Sequence, residues 1–125
     1  MKERVGKIIT STAAVLAALL LVFLLGRYGW RLGGFGACES AGISRVEVTD
    51  GQVELEGFYP GLSPKGFLGY YAEEADGTLY VGFKFSTVFG MFETGDFAVT
   101  IPTKGEIENV VIKTRKNEYE IWPGP

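Results

Sequence analysis

Residues 45–56 read RVEVTDGQVELE and contain the clearest fold signal in the chain. On both sides of Asp50-Gly51, valine or leucine alternates with polar and charged residues. Alternation with a period of two is typical of a strand with one buried and one solvated face. The Asp-Gly dipeptide tolerates the positive φ angles of a tight turn. The stretch therefore predicts an antiparallel β-hairpin.

The same pattern continues towards the C-terminus. Further strand-like runs occupy residues 67–74, 78–85, 96–101, 107–114 and 118–122, separated by turn signals. With the first hairpin they make about seven short strands, and no helical pattern lies between them. We predict an all-β domain over residues 43–122: a small antiparallel sandwich or partly closed barrel built from sequential hairpins. Residues 123–125 form a short tail.

Before this domain lies a run without charge, which we call the apolar run. Residues 8–26 read IITSTAAVLAALLLVFLLG. As a helix these residues would span roughly 28 Å, close to the hydrocarbon thickness of a bilayer. Cations and aromatic side chains suited to the membrane interface flank the run; they are Lys2, Arg4, Lys7, Arg27, Tyr28, Trp30 and Arg31. The sequence predicts one N-terminal transmembrane helix.

The flanking charges predict the orientation of that helix. Three basic residues and the amino terminus precede the run, and two arginines follow it. By the positive-inside rule, residues 1–7 form a cytoplasmic tail and the β-domain is extracytoplasmic. We therefore expect a single-pass plasma-membrane protein.

Two removable N-terminal segments are alternatives to a retained anchor. A secretory signal could be cleaved near residues 34–37, and Phe35-Gly36-Ala37-Cys38 resembles a lipobox. A retained anchor is favoured because the apolar run exceeds the usual 7–15 residues of a signal core. The cysteine also lies twelve residues beyond the run. We expect Cys38 to be a free thiol without a role.

Residues 27–42 are predicted to be a Gly-rich linker. Five glycines lie between residues 26 and 36, a density that favours a flexible stalk over a rigid helix. Within the apolar run, alanines repeat at a spacing that lets two helices approach closely. These residues, Ala13, Ala14, Ala17 and Ala18, could support a homodimer, although alanine is common in membrane anchors.

Composition excludes several functional classes. Residues 38–125 carry seven basic and fourteen acidic side chains, and this net charge of −7 argues against nucleic-acid binding. The chain has no histidine and one cysteine, so we expect no internal disulfide, metal or cofactor. Serine or cysteine catalysis normally needs a histidine base. Adjacent Glu73 and Glu74 would point to opposite faces of a strand, whereas Glu54 and Glu56 fit a solvated face. We predict that the protein is not an enzyme.

An apolar loop, Val88-Phe89-Gly90-Met91-Phe92, interrupts the strand pattern where a polar connection is usual. Its aromatic side chains could fold back and close one end of a sandwich. Alternatively the loop is an exposed tip that contacts lipid or a partner protein. Phe89, Met91 and Phe92 are the candidate contact residues.

The strands also carry a family resemblance, in segments spread over residues 43–122. The body resembles short membrane-anchored or lipoprotein-type proteins of Gram-positive bacteria with one small extracytoplasmic β-domain of unknown function. The segments that carry it are Val46-Glu47-Val48-Thr49-Asp50-Gly51, Gly69-Tyr70-Tyr71, Asp76-Gly77-Thr78-Leu79-Tyr80-Val81-Gly82, Gly95-Asp96-Phe97, Val99-Thr100-Ile101 and Glu120-Ile121-Trp122. The resemblance implies a fold, but no activity or site residues. Many such proteins attach to the membrane through a lipidated cysteine. This chain departs from that pattern because its anchor is long and its lipobox is poor.

These expectations lead to two functional hypotheses. The first is a non-enzymatic binding or sensing accessory that acts on a membrane protein or a cell-envelope component. The second is a structural or regulatory subunit that contacts its partner through the transmembrane helix.

Overall fold

A computed structural model describes residues 2–62, 65–90 and 93–124 of the chain. Helix α1 spans Lys2–Tyr28 and is followed by a 3₁₀ helix at Gly29–Ala37. Seven strands follow within the described residues: β1 Gly42–Thr49, β2 Gln52–Phe58, β3 Gly66–Ala75, β4 Thr78–Ser86, β5 Phe97–Pro102, β6 Asn109–Lys113 and β7 Glu118–Trp122. The predicted seven strands are confirmed.

The apolar run forms the middle of α1. Side chains from Thr10 to Val22 are exposed on every face of the helix, with no stripe buried against the β-domain. One helical stretch of the described chain, Thr10–Ala37, is long and apolar enough to cross a membrane. A signal sequence near the N-terminus can meet the same criteria of length and composition.

The strands form two sheets with the orders β1-β2-β5 and β3-β4-β6-β7. The predicted hairpin at Asp50-Gly51 joins β1 to β2, with Val48 opposite Val53. The expectation of antiparallel, sequential hairpins throughout is wrong at β5 and β6. Strand β5 pairs with β2, and β6 lies parallel to β4. The physical reason is that β5 ends where β4 begins, so a short connection starts β6 beside β4 in the same direction.

Both sheets contribute to one buried cluster. Strand β2 supplies Val53 and Leu55 from one sheet, and β4 supplies Leu79, Val81 and Phe83 from the other. These residues recur at every second position, as expected for strands that each bury one face. The outward faces of β1 and β2 carry the glutamates of the alternating pattern, and Arg45 forms ion pairs with them.

The loops divide between two opposite ends of the β-domain. At the helix-proximal end lie residues 59–62, 65, 86–90, 93–96 and 114–117, and the Tyr59 amide donates to the Gly95 carbonyl at 3.1 Å. At the distal end lie the turns at 50–51 and 76–77 and the connection 103–108. There the Thr103 amide donates to the Gly51 carbonyl at 2.9 Å, and the Glu108 amide donates to the Gly77 carbonyl at 2.7 Å. The two ends differ in chemistry, and α1 joins only the first.

Candidate functional site

Arg27 joins the end of α1 to the loop that follows β4. Its Nη1 donates to the Phe89 carbonyl at 2.9 Å, and its Nη2 pairs with the Glu93 carboxylate at 2.8 Å. The Arg27 side chain is only 17% exposed, whereas that of Glu93 is 46% exposed. A planar guanidinium can bind both acceptors at once, which holds the loop in one position against the helix.

The predicted contact residue Phe89 packs on the helix below this arginine. Its ring lies 5.8 Å from that of Phe23, centroid to centroid, and covers Gly26 so closely that a Cβ there would overlap the ring. The Ser86 hydroxyl accepts the Phe89 amide at 3.1 Å. Phe89 is therefore half-buried against α1 and does not belong to the buried core cluster. The other two predicted contact residues, Met91 and Phe92, lie outside the described residues.

We call residues 29–41 the attachment segment, because they pack on the four-stranded sheet instead of hanging free. Trp30 is only 9% exposed and lies against β3 near Gly69. Arg31 donates to the Tyr70 carbonyl at 2.9 Å, on the edge of that strand. Phe35 meets the Tyr71 ring edge-on at 4.9 Å.

The prediction of a flexible stalk over residues 27–42 therefore needs correction. The chain continues as a 3₁₀ helix through Ala37, with a break at Gly34, and the segment has apolar side chains to bury. Its aromatic side chains contact the sheet, and its glycines allow the close turns that this requires. Packing outweighs the conformational cost of ordering glycine.

The end of the attachment segment is inserted beside strand β4. The Glu39 amide donates to the Phe83 carbonyl at 2.8 Å, as in a strand pair, and the Arg115 amide donates to the Cys38 carbonyl at 3.3 Å. The Cys38 side chain fills the space above Gly82. A Cβ on that glycine would overlap the sulfur and would lie 2.9 Å from the Lys113 carbonyl. Backbone pairing and side-chain packing together fix this segment to the sheet.

Cys38 is a free thiol that is almost fully buried. Burial raises the pKa of the thiol to about 11. A thiol at this pKa holds little thiolate near neutral pH and reacts slowly. In the uncleaved chain the sulfur of the poor lipobox faces the sheet, so chemistry there would require the segment to open.

Next to the thiol, the Glu39 carboxylate lies between two lysines. Lys84 is 3.4 Å and Lys65 is 3.5 Å from its Oε1 atom. Lys65 belongs to a helix-proximal loop and Lys84 to β4. The carboxylate thus connects the attachment segment to both elements.

A surface depression of about 550 Å³ opens at the distal end. We call it the distal depression; its lining is Val48, Thr49, Asp50, Gly51, Lys104, Gly105, Glu106, Ile107 and Trp122. Glu74 shapes one side, because its carboxylate accepts the amides of Lys104 at 2.8 Å and Gly105 at 2.9 Å. An aromatic and two aliphatic side chains line a space with charged groups around it.

The carboxylates singled out from the sequence make separate contacts. Glu73 accepts the Tyr71 hydroxyl at 2.8 Å, Glu74 holds the connection described above, and Glu54 and Glu56 lie beside Arg45. In the part of the chain that the structure describes, no three acidic or cysteine side chains gather as metal ligands would. These arrangements offer contacts that hold the fold together.

The site at the helix-proximal end combines predicted and unpredicted residues. Sequence reasoning selected Phe89 but missed Arg27 and Gly26 as its neighbours, and it did not place Trp30 against the sheet. Two signals could have pointed to the attachment: a tryptophan within a glycine-rich stretch, and Gly82 inside a strand, where glycine often marks close backbone approach.

No protein-family model, curated protein or solved structure shows significant similarity to the chain. The resemblance to small membrane-anchored β-domain proteins therefore stays a prediction.

Proposed function

We propose that the chain is a single-pass plasma-membrane protein whose two-sheet β-sandwich is extracytoplasmic and acts as a non-enzymatic binding or sensing accessory. One observation carries the proposal: the attachment segment and Arg27 fix the domain to the end of α1. A domain that only needed tethering would be served by a flexible linker. Fixed attachment favours a role in which the domain must present one surface in a defined direction.

The direction in which the domain faces follows from which of its two ends joins α1. Because α1 joins the helix-proximal end, a helix that spans the bilayer turns the distal end away from the membrane. The basic residues before the apolar run favour a cytoplasmic N-terminus. The distal end then faces the cell envelope, where it could meet an envelope component or an exposed part of a neighbouring membrane protein.

The distal depression is the proposed binding surface. Its volume of about 550 Å³ falls within the range of ligand sites. Trp122 offers an aromatic face with a polar edge, and Asp50, Lys104 and Glu106 offer both signs of charge. This combination suits a polar ligand with some apolar surface.

Site-specific crosslinking in intact cells tests the proposal. A photoreactive amino acid at Lys104, on the rim, is expected to capture an envelope component or a membrane protein. The matched control is Thr100, which is exposed on β5 away from the depression. Capture from position 104 but not from position 100 supports the proposal; equal capture, or none from position 104, contradicts it.

The rival role is a subunit that contacts its partner through the helix. Ala13, Ala14, Ala17 and Ala18 are exposed on α1, which leaves their face open to another helix. Replacing residues 8–22 by an unrelated apolar sequence separates the two roles. Residues 23–28 must be kept, because Phe23, Gly26 and Arg27 hold the loop. Loss of the partner on this exchange supports the rival, and retention supports the accessory role.

A further inference from the structure

We propose that residues 86–90 enter the outer leaflet beside α1 and that Val88 contacts lipid. The inference rests on the membrane-anchored part of the proposed function and adds a second membrane contact to it. The β-domain would lie partly in the bilayer surface instead of standing clear of it. The occupant of this surface is the lipid bilayer itself.

The depth of the loop along α1 is the first argument. Phe89 packs against Phe23 and Gly26, both of which belong to the apolar run. Phe23 lies about 6 Å before Arg27 along a helix axis. The loop therefore extends past Arg27 towards the bilayer centre and reaches the level of Phe23, whose neighbours on α1 face the hydrocarbon. Backbone at that depth remains close to the interface, where polar groups can still be satisfied.

The exposure of Val88 is the second argument. Its side chain is 58% exposed although the neighbouring Phe89 is packed on the helix. An exposed valine contributes no favourable free energy while it stays in water. In the membrane interface its apolar area is removed from water, which is favourable. The position of Phe89 leaves Val88 as the side chain of this pair that is free to meet lipid.

The distribution of other exposed apolar side chains is the third argument. Outside the apolar run, the large ones among the described residues are Tyr28, Leu32, Phe58, Leu62, Val88 and Tyr119. The first five belong to the helix end, the attachment segment or the helix-proximal loops and strand ends. Leu62, in the loop that begins with Tyr59, is fully exposed. Several exposed apolar side chains at the end of the domain next to a membrane helix fit lipid better than water.

Charge agrees with a lipid partner. The helix-proximal turn carries exposed Arg115 and Lys116, which would meet anionic headgroups favourably. Of the two exposed acids in the neighbouring loop, Glu93 is paired with Arg27, and Asp96 lies directly before β5. The distal turns instead carry exposed Asp50 and Asp76. The apolar tip and the basic turn lie at the same end of the domain.

An environment-sensitive fluorophore tests the depth. In a C38A background, the full chain with Val88→Cys is labelled with nitrobenzoxadiazole and reconstituted into phosphatidylcholine and phosphatidylglycerol vesicles. The matched control is Asp50→Cys in the distal turn. At position 88 we expect blue-shifted emission, strong quenching by lipid spin labels near the headgroups, and several-fold weaker quenching by iodide. Position 50 should show the reverse.

Iodide quenching at position 88 as strong as at position 50 would overturn the inference. That result is also expected if the loop binds a protein, because the vesicles contain none. If labelling disturbs the fold, Val88→Trp with brominated lipids gives a second measurement, with Asp50→Trp as its control. Failure here leaves crosslinking from position 104 unaffected, so the two proposals fail separately. A mature chain that lacks the apolar run by mass spectrometry would remove both.

Discussion

The two ends of the β-domain are built on the same sheets but differ in almost every other respect. At the helix-proximal end the core is aromatic: Phe83, Phe85 and Phe97 gather there, with Phe67 stacked on Phe97 at 4.7 Å. At the distal end the core is aliphatic, and the turns outside it are acidic. The strands build a common core, while the loops and the attachment segment decide what each end can do.

This difference indicates a division of labour. The helix-proximal end uses apolar side chains for anchoring: Trp30 packs on β3, and Phe89 packs on α1. The distal end has no such neighbour and opens the distal depression instead. Substitutions that weaken one end and spare the other test whether the two ends are independent.

The largest expected effect comes from the aromatic core. Phe83 is fully buried, and its ring lies 4.5 Å from that of Phe97. Phe83→Ala is expected to lower the free energy of unfolding by about 3–5 kcal/mol, since it leaves a large cavity. The distal change Ile101→Val should cost only about 1 kcal/mol. Urea unfolding of the full chain in detergent measures both, and a loss for Phe83→Ala no larger than that for Ile101→Val would contradict the tight packing of the aromatic cluster.

The next effect concerns the buried thiol. The pKa of Cys38 is raised from an ordinary 9.0 to about 11, so near pH 8 its thiolate fraction should be about a hundredfold lower than in an unfolded peptide. Maleimide labelling should therefore be correspondingly slow in the folded chain and fast after denaturation. Rapid labelling without denaturant would mean that the attachment segment opens readily.

The same shift predicts a pH dependence of stability. The folded state holds the proton more tightly than the unfolded state, so this contribution is fully present below about pH 9 and is lost as pH rises through about 11. The informative quantity is the stability of the wild type compared with that of Cys38→Ala, because this comparison isolates the contribution of the thiol. The wild type should lose more stability over this interval; parallel curves would contradict burial of the thiol.

A smaller effect tests the contact between Cys38 and β4. Gly82→Ala places a methyl group against the sulfur and the Lys113 carbonyl, so we expect a loss of about 2 kcal/mol. Gly36→Ala is the matched control, because a Cβ there meets no atom within 4 Å. The first variant should also label faster at Cys38. Equal stability of the two variants would show that the segment is not pressed against the sheet.

The strands show how much of the fold can be predicted from the sequence alone. Period-two alternation places the strands well, because each strand buries one face and its side chains report it locally. Strand order is not local: the partner of β5 depends on where the connection after Pro102 can reach. The parallel pairing of β4 with β6 follows from that path and leaves no periodic signal.

The candidate site was predictable only in part. An apolar loop at Phe89 is visible in the sequence, since loops are usually polar. Its position on Gly26 depends on a contact between residues more than sixty positions apart, which no local pattern encodes. Local composition also misled the prediction for the attachment segment, because the same glycines suit a flexible stalk and a tightly packed one.

The smallest effect on stability, and the most specific on geometry, comes from Arg27. The pair with the half-exposed Glu93 should contribute less than about 1 kcal/mol, so a double-mutant cycle of Arg27→Gln and Glu93→Gln should show weak coupling. Orientation should respond more strongly, because Arg27 also binds the Phe89 carbonyl. In a C38A background, spin labels at Leu20 and Thr100 report the distance between α1 and β5 in lipid nanodiscs. We expect a broader distance distribution for Arg27→Gln and for Arg27→Lys, since an ammonium group lacks the planar fork that reaches both acceptors. A distribution as narrow as that of the unsubstituted arginine would show that the attachment segment alone orients the domain, and that the loop follows the helix without guiding it.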